Sequence, residues 1–355
     1  MDISADIPAA AAASGSARGR GAVLAGLGAY VPPRVLTNAE LCGQRPIGDE
    51  WIRTRIGVAS RRIADGEATV DLAVRAGRHA LTAAGACAVD AVVLVTVSPD
   101  RLLPAGAPEV AARLGLGTVP AFDLTSGCSG FLYGLGVASS LVTAGTFDSV
   151  LLVASDVFSA FLDPQDWLMS AIFGDGAGAV VLRAGEAGTP GALGPFDLGS
   201  DGTQADLLEI PGGGARAKKR KPAAPDEGSS PYFRMDGPAV LKQAVVGMCD
   251  SVTRAVDRAG WLPGDLDLLI AHQANQRILD GLTAELGLAP GQVLSHIERY
   301  GNTAAASVPV LLAQAAAAGT LSPGLRVALT AYGAGLAWGS TTLVWPDVRA
   351  VAEGG

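Results

Sequence analysis

The sequence predicts an α/β protein in which two duplicated halves stack into a five-layer α/β/α/β/α sandwich. First, strand-like and helix-like segments alternate along the chain, which is typical of mixed sheets covered by helices. Second, continuous apolar runs such as 89–98 and 149–155 are typical of strands buried on both faces. Third, the same order of segments begins again after about residue 190, which indicates an internal duplication. We therefore expect an N-terminal half over 21–190 and a C-terminal half over 191–350.

Composition restricts the classes of function. The 355 residues are 49% hydrophobic and 17% charged, which is enough apolar material for a wide core. A net charge of −8 argues against a nucleic-acid or anionic-membrane binder, and no apolar run reaches the roughly 18 residues of a membrane span. The four cysteines are scattered, without CxxC or other metal-ligand spacing. We therefore expect no metal site and a reduced, cytoplasmic setting.

Two segments are predicted to lie outside the sandwich. Residues 1–20 are small, polar and Ala-rich, without a basic start followed by an apolar core, so we expect a disordered tail and not a signal peptide. Residues 211–231 form a long lid-like insertion that contains the run ARAKKRK. This run could meet an acidic partner or nucleotide phosphates, although a solvated flexible loop is the more common role of such a segment.

The first half is predicted to alternate between strands and helices. Its elements are strand 21–30, helix 67–84, strand 89–98, helix 101–117, a strand end near 121 followed by an apolar helix, strand 149–155, and a glycine-rich turn that feeds a strand over 173–183. The GDGAG turn is not a dinucleotide loop, because it precedes a strand and not a helix.

The second half repeats this order. Helix 239–260 and strand 265–275 match the earlier helix and strand, and 286–319, 325–333 and 333–345 match 114–145, 149–155 and 173–183. The repeat is about 150 residues long, so each half is expected to form one sheet with its helices.

Cys128 lies in the segment 121–144, where an apolar strand end turns sharply into a long apolar helix. Unpaired N–H groups and the positive dipole end of a helix N-terminus favour a thiolate, and the small residues around the cysteine leave room for a substrate. A buried core cysteine is the alternative, because most free cysteines are of that kind. The rest of the chain favours a nucleophile.

Alignment of the two halves brings two further residues towards Cys128. Asn302 in YGNT falls within a couple of residues of Cys128 in SGCSG. His272 follows a predicted buried strand, at the end where open α/β sheets place ligands, whereas His79 lies on a polar helix face and His296 in a connecting segment. A lone histidine is commonly structural, but the symmetry predicts that Cys128, His272 and Asn302 meet in one pocket between the halves.

These three residue types suit acyl transfer through a thioester. A thiolate attacks carbonyl carbons and is a good leaving group, and a neutral histidine and an asparagine NH₂ both donate hydrogen bonds to an oxyanion. Papain-like proteases use the same residue types in the same chain order, but not on a duplicated α/β scaffold. Asn302 stands at the position that matches the nucleophile in the other half. There it fits the role of a hydrogen-bond donor to an enolate oxygen better than that of a residue that orients the histidine.

Five motifs occur in order along residues 22–346: SGCSGF, GDGAGAVVL, HQANQRI, YGNTAAASVP and YGAGLAWGS. With these motifs the chain resembles β-ketoacyl-acyl-carrier-protein synthase III, a family of the thiolase superfamily. The resemblance implies a thiolase-like fold, a homodimer, and no cofactor besides an acyl-CoA or acyl-carrier-protein thioester as substrate. It also implies that Cys128 is acylated and that His272 and Asn302 stabilise the enolate that malonyl decarboxylation leaves. Backbone N–H groups of Cys128 and of the loop at Ala334 and Gly335 would form the acyl oxyanion hole.

The resemblance also implies substrate contacts. Trp51 and Arg55 match the residues of a DEWI-TR-G motif that hold the adenine and phosphates of CoA; without the resemblance, a surface-packed tryptophan beside a solvated arginine would be the simpler interpretation. Gly237 and Asn275 match pantetheine contacts.

Two surface roles follow from the same resemblance. Lys242 and Arg277 match a basic patch that meets the acidic acyl carrier protein. Leu103 matches a residue that crosses the dimer interface to close the partner's acyl pocket. Because leucine is smaller than the aromatic residue usual there, we expect a starter group larger than acetyl.

The chain departs from the family pattern at three positions of the site. Trp167 replaces the arginine that stacks on the adenine of CoA, which removes a cation near the CoA phosphates. Ala334 replaces the middle glycine of the oxyanion loop, which would be strained if that position needs a positive φ. Tyr332 replaces a phenylalanine and is expected to add a hydroxyl near the carbanion. The carrier-protein face is also partly neutral or acidic, at Ala284 and Glu285.

Two functions therefore stay open at the level of the sequence. The first is decarboxylative condensation of a starter acyl group with malonyl carrier protein, the priming step of fatty-acid or polyketide synthesis. The second is an acyltransferase that moves the acyl group from Cys128 to a hydroxyl or amine of a natural product. Trp167, Tyr332 and the weakened carrier-protein patch favour the acyltransferase, and the intact Asn302 favours condensation.

Overall fold

The structure is a computed structural model that describes residues 19–43, 48–219 and 230–353. Most of the predicted disordered tail and residues 220–229 of the predicted lid-like insertion lie outside these described residues.

Strands and helices alternate through both halves, as the hydrophobic pattern predicts. Within the described ranges the strands are β1 Arg20–Tyr30, β2 Val35–Thr37, β3 Ser60–Arg62, β4 Ala91–Val95, β5 Ala121–Leu124, β6 Ser149–Asp156, β7 Gly176–Glu186, β8 Phe196–Ser200, β9 Leu208–Glu209, β10 Arg234–Met235, β11 Leu268–Ala271, β12 Val293–Leu294, β13 Arg326–Gly333, β14 Ala337–Val344 and β15 Ala350–Glu353. The α-helices are α1 Asn38–Cys42, α2 Asp49–Arg55, α3 Thr69–Ala83, α4 Ala107–Arg113, α5 Gly130–Thr143, α6 Trp167–Ile172, α7 Ala215–Lys219, α8 Gly237–Arg258, α9 Gln276–Glu285, α10 Ile297–Tyr300 and α11 Ser307–Ala317.

The two main sheets have the same topology. The first has the strand order β15-β1-β7-β6-β4-β5 and the second has the order β12-β11-β13-β14-β8. Without β15, both sheets place their five strands in the spatial order 3-2-4-5-1 when the strands are numbered along each half. In both halves the fifth strand is antiparallel to the fourth and to the first, so the structure confirms the internal duplication.

The sheets and helices form five layers. Helix α3 packs on the outer face of the first sheet and α8 on the outer face of the second, while α5 and α11 lie between the sheets and contact both. The middle layer is therefore apolar all round, and nearly every side chain of α11 is buried. The five-layer α/β/α/β/α sandwich is confirmed.

Three details differ from the expected elements. Helix α4 covers Ala107–Arg113 and not 101–117, because Pro104, Gly106 and Pro108 delay its start. The strand expected over 265–275 is limited to β11. The last strand, β15, pairs parallel with β1 and so adds a C-terminal segment to the first sheet. The half boundaries at 21–190 and 191–350 stay a prediction.

The described part of the 211–231 insertion contains the short helix α7. Strands β9 and β10 flank this segment and pair with each other in antiparallel register. None of the helices in the described ranges combines the length and apolarity that a bilayer span requires.

Candidate active site

A cavity of about 740 Å³ lies between the two halves, and Cys128, His272 and Asn302 all line it. Cys128 precedes α5 in the first half, whereas His272 and Asn302 belong to the second. Seven other predicted site residues line the same cavity: Trp51, Arg55, Gly237, Asn275, Arg277, Tyr332 and Ala334. The predicted convergence of Cys128, His272 and Asn302 in one cavity is therefore present in the structure, and their catalytic roles stay a prediction.

The loop that carries Cys128 is built on two close backbone approaches. Gly127 has φ +54°, and a Cβ there would lie 2.6 Å from the backbone nitrogen of Ala334. A Cβ on Gly333 would lie 2.4 Å from the backbone nitrogen of Cys128. Glycine is required at both positions, because a side chain would collide with the facing backbone. These two close approaches hold the loop at 333–335 against Cys128.

The charge state of Cys128 differs from the sequence-based expectation of a thiolate. Burial and the neighbouring Asp156 carboxylate raise the pKa of the Cys128 thiol to about 12, and a backbone hydrogen bond lowers it only in part. The prediction considered only the N-terminus of α5, whereas desolvation penalises the charged form more strongly. Desolvation in this half-buried position therefore favours the protonated thiol of Cys128 over the thiolate.

His272 follows β11 and is buried, with 2% of its surface exposed. Its Nδ1 lies 2.6 Å from Ser307 Oγ, which also accepts the backbone N–H of Gln273 at 3.3 Å. Since Ser307 Oγ already accepts this N–H, we assign its own proton to the bond with Nδ1, and this assignment leaves the proton of His272 on Nε2. Burial lowers the pKa of His272 to about 3. The imidazole is thus neutral and presents an N–H donor.

Asn302 is held at three atoms. Its Oδ1 accepts the backbone N–H of Ala304 at 2.9 Å, its backbone N–H donates to Ile172 O, and its carbonyl accepts the N–H of Gly174. Because Oδ1 is already used, the side-chain NH₂ is the group available to a substrate. His272 and Asn302 therefore both offer hydrogen-bond donors to an oxyanion.

The oxyanion loop is not strained at Ala334. Ala304, with φ +49°, is the only non-glycine residue with a positive φ in the described ranges. Ala334 therefore does not have a positive φ, and the backbone strain that a positive φ would cause there is absent. The positive φ of this loop falls on Gly335, at +148°. Ala334 lines the cavity, whereas Gly335 is not among the lining residues.

The hydroxyl of Tyr332 is bound by α8. It lies 3.3 Å from Gln243 Oε1 on α8, and Gln243 lines a second cavity and not the first. The ring stacks on Trp338 at 6.2 Å. Tyr332 itself lines both cavities, and the expected effect of its hydroxyl near a carbanion stays a prediction.

Aromatic and cationic side chains meet near one end of the cavity. Trp51 and Trp167 lie edge to face with ring centroids 6.2 Å apart. Trp51 is 37% exposed and lines the cavity, as do the guanidinium-bearing Arg55 and Arg277, whereas Trp167 stands beside Trp51 without lining it. Asn275 caps α9 through its side-chain oxygen, so its NH₂ group is the part available to a ligand.

Two predicted residues lie apart from the main cavity. Leu103 is 85% exposed on the loop before α4, which is compatible with, but does not test, a role at a dimer interface. Lys242 lines the second cavity together with Tyr332 and Arg254. The two predicted carrier-protein residues, Lys242 and Arg277, therefore border different cavities.

The structure adds residues that the sequence analysis did not single out. Ser307 contacts His272, and Asp156 lies close enough to Cys128 to affect its charge. Three phenylalanines that line the cavity also pack on one another: Phe158, Phe173 and Phe233. The signals for the polar pair were present, since Ser307 lies in the YGNTAAASVP motif and Asp156 at the end of a buried strand.

Known proteins share much of this sequence. Residues 122–202 match the family described as 3-oxoacyl-[acyl-carrier-protein] synthase III, and residues 256–345 match its C-terminal part. The chain is 51% identical to β-ketoacyl-[acyl-carrier-protein] synthase III 3 of Streptomyces coelicolor, over 94% of this chain and 99% of that protein. It is also 51% identical to a β-ketoacyl-[acyl-carrier-protein] synthase III of Pseudomonas aeruginosa, over 93% and 98% of the two chains.

Solved structures give the same result. The crystal structure of 3-oxoacyl-(acyl carrier protein) synthase III from Pseudomonas aeruginosa matches with a TM-score of 0.85 and 50% identity, over 92% of this chain and 99% of that one. A priming β-ketosynthase from a polyketide biosynthetic pathway matches with a TM-score of 0.84 and 34% identity, over 92% and 96%. With this identity over nearly the whole chain, and with the expected cysteine, histidine and asparagine in one cavity, the protein belongs to the β-ketoacyl-acyl-carrier-protein synthase III family.

Proposed function

We propose that this protein condenses a starter acyl group, held on Cys128, with malonyl carrier protein, and so primes fatty-acid or polyketide synthesis. The observation that carries the proposal is the pair of neutral donors, His272 Nε2–H and the Asn302 NH₂, in the cavity of Cys128. Such a pair suits an enolate oxygen, which needs two hydrogen-bond donors and no base.

In the first half-reaction Cys128 becomes acylated. The sulfur attacks the carbonyl carbon of an acyl thioester as the thiol loses its proton, and the donor thiol leaves and takes up a proton. Backbone N–H groups of Cys128 and of the adjoining loop at 333–335 would stabilise the tetrahedral oxyanion. In its Nε2–H tautomer His272 cannot accept the Cys128 proton through Nε2, so we assign it no role as a base in this step.

In the second half-reaction the malonyl thioester loses CO₂. The electron pair of the broken C–C bond forms an enolate, whose oxygen accepts hydrogen bonds from His272 Nε2–H and the Asn302 NH₂. The carbanion carbon then attacks the carbonyl of the acyl-cysteine, and the Cys128 thiolate leaves and is reprotonated. The product is a β-ketoacyl thioester on the carrier.

The cavity supports a sizeable acyl group. Apolar side chains dominate its wall, including Met169, Met248 and the three phenylalanines, and such a wall suits an alkyl chain. We infer a starter larger than acetyl, a carrier-protein partner that approaches Arg277 and Lys242, and a homodimer. The free state of all four cysteines supports action in the reducing cytoplasm.

One argument for the acyltransferase alternative is weakened, because the Tyr332 hydroxyl is engaged by Gln243 on α8. The replacement at Trp167 concerns the choice of acyl donor and not the choice of acceptor, so it does not distinguish the two functions. The similar proteins are named as synthases, which favours condensation.

Mass spectrometry of the intact protein tests the proposal. The protein is mixed with a panel of acyl-CoAs and acyl-carrier proteins, and then with malonyl carrier protein. An adduct that is absent from Cys128→Ser, and that is discharged with release of CO₂ and a β-ketoacyl product, is expected. An adduct that persists through the malonyl chase and is removed by a sugar or amine acceptor would establish the acyltransferase instead.

A further inference from the structure

Asp156 is a fully buried carboxylate at the end of β6, with none of its surface exposed. Its Oδ1 accepts three hydrogen bonds from the segment after β4: Thr96 Oγ1 at 3.0 Å, Val97 N at 2.8 Å and Ser98 Oγ at 3.0 Å. Its Oδ2 accepts one, from the backbone N–H of Ala305 at 3.0 Å. Thus one oxygen is fixed by the first half of the chain, and the other reaches into the second half.

The bond to Ala305 holds the turn that carries Asn302. Ala304 in this turn has φ +49°, a conformation that an alanine adopts at a cost in free energy and that neighbouring contacts must maintain. Two bonds maintain it. Ala304 N–H donates to Asn302 Oδ1, and Ala305 N–H donates to Asp156 Oδ2. The orientation of the Asn302 amide and the position of the Asp156 carboxylate are therefore linked through one turn.

We propose that Asp156 is a positioning residue for the decarboxylation step, whose carboxylate holds the Ala304–Ala305 turn and thereby aims the Asn302 NH₂ at the enolate oxygen. This inference rests on the proposed condensing function. Asp156 is not among the residues that line the cavity, so it acts through Asn302 and does not touch the substrate.

The same carboxylate affects the first half-reaction in the opposite direction. Its charge raises the pKa of Cys128, so its removal favours the thiolate and does not slow attack by sulfur. Loss of Asp156 should consequently slow decarboxylation while thiol reactivity is kept or increased. A general loss of structure would slow both steps.

Asp156→Asn distinguishes the roles of the two carboxylate oxygens, because it keeps one acceptor and removes the other. The amide oxygen can still accept from Thr96, Val97 and Ser98, whereas the NH₂ group then faces the Ala305 N–H and cannot accept from it. We expect kcat for malonyl decarboxylation by the pre-acylated enzyme to fall about tenfold or more, the value of one lost hydrogen bond in an oriented site, with KM changed less than about twofold. Alkylation of Cys128 by iodoacetamide at fixed pH should be as fast as in the wild type, or faster.

Asp197→Asn is the matched control. Asp197 is also a buried aspartate, but it pairs with Arg254 and Arg258 on the outer helix α8 and lines neither cavity. Both half-reactions should proceed in this variant at the wild-type rate.

Two results would overturn the inference: decarboxylation at the wild-type rate in Asp156→Asn, or equal slowing of decarboxylation and of Cys128 alkylation. If Asp156→Asn does not yield folded protein, Asp156→Glu, which moves the carboxylate by one methylene, must show the same split between the two rates. A wild-type enzyme that acylates Cys128 but never decarboxylates malonyl carrier protein would instead refute the proposed function, so the two failures are distinguishable.

Discussion

At the residue scale, burial and the Asp156 carboxylate both raise the pKa of Cys128 and so favour its protonated thiol over the thiolate. The other ionisable groups that line the cavity are the neutral His272, Tyr332 and two arginines, Arg55 and Arg277. We therefore expect the free thiol to be less reactive towards alkylating agents than an exposed cysteine.

This charge state predicts a steep pH dependence. The rate of Cys128 alkylation by iodoacetamide should rise about tenfold per pH unit from about pH 7 to pH 9, because the thiolate fraction rises in that proportion below the pKa. Intact-protein mass spectrometry would follow the reaction, and Cys128→Ser would subtract labelling of the exposed Cys87. A rate that levels off below about pH 8 would contradict the raised pKa of Cys128.

Ser307 gives a second prediction at this scale. Ser307→Ala removes the hydroxyl that fixes the Nε2–H tautomer of His272, so malonyl decarboxylation should slow about fivefold, the value of one hydrogen bond of roughly 1 kcal/mol. Acylation of Cys128 should change less than about twofold, because that step does not use the imidazole. Rapid-quench measurement of the two half-reactions distinguishes the steps.

Ser251→Ala is the control for this prediction. Ser251 is equally buried, but it donates to the carbonyl of Asp197 and not to the site. A similar loss in both variants, or a loss in acylation for Ser307→Ala, would argue that Ser307 has no specific role in the tautomer.

At the element scale, the turn into α5 depends on Gly127. Gly127→Ala should lower the free energy of unfolding by about 1–2 kcal/mol for the positive φ, and by more because its Cβ would lie 2.6 Å from Ala334 N. The change should also slow acylation, since it displaces the oxyanion loop.

Gly145→Ala is a matched comparison just after the other end of the same helix. Gly145 has φ +76°, and a Cβ added there would meet open space, so only the backbone cost of about 1 kcal/mol applies. Thermal denaturation and acylation kinetics of both variants test this difference. Equal loss of stability with full activity in both would show that the approach of Ala334 to Gly127 is unimportant.

Helix α6 gives a prediction about the acyl donor. Trp167→Arg places a cation beside Trp51, where the phosphates of a nucleotide-linked donor would lie, so KM for acyl-CoA should fall several-fold. KM for an acyl-carrier-protein donor should stay within about twofold. Steady-state kinetics with both donors measure the two KM values. An equal change in both would contradict a role of Trp167 in donor choice.

At the scale of the whole molecule, the sandwich leaves an apolar loop tip in solvent. Leu102 and Leu103 are 74% and 85% exposed, which is unusual for adjacent large apolar residues and is typical of an interaction site. Together with the expected homodimer, this exposure predicts that the tip is covered by the second copy.

Leu103→Asp should therefore weaken self-association and alter acyl-chain selectivity while the protomer stays folded. Sedimentation equilibrium measures the first effect and a starter panel the second. Val246→Asp is the control, because Val246 is 55% exposed on α8, apart from this loop. A Leu103→Asp dimer as tight as the wild type would exclude the tip from the interface.

The amino-acid sequence by itself determined the alternation of elements, the duplication and the three catalytic residues. Apolar periodicity sets which segments are strands and helices, and the repeat sets their common topology. The symmetry of the halves was enough to predict that Cys128, His272 and Asn302 share a cavity, because equivalent strand ends in two stacked copies face one another.

Tertiary structure alone decided the electrostatics and the orientation of the site. The pKa of Cys128, the tautomer of His272 and the direction of the Tyr332 hydroxyl depend on burial and on partners distant in the chain. The hydrogen bond between Ala305 and Asp156 joins residues 149 positions apart, and hydrophobic periodicity carries no information about such a contact. Desolvation likewise depends on which atoms exclude water, and that is fixed only when both halves have packed.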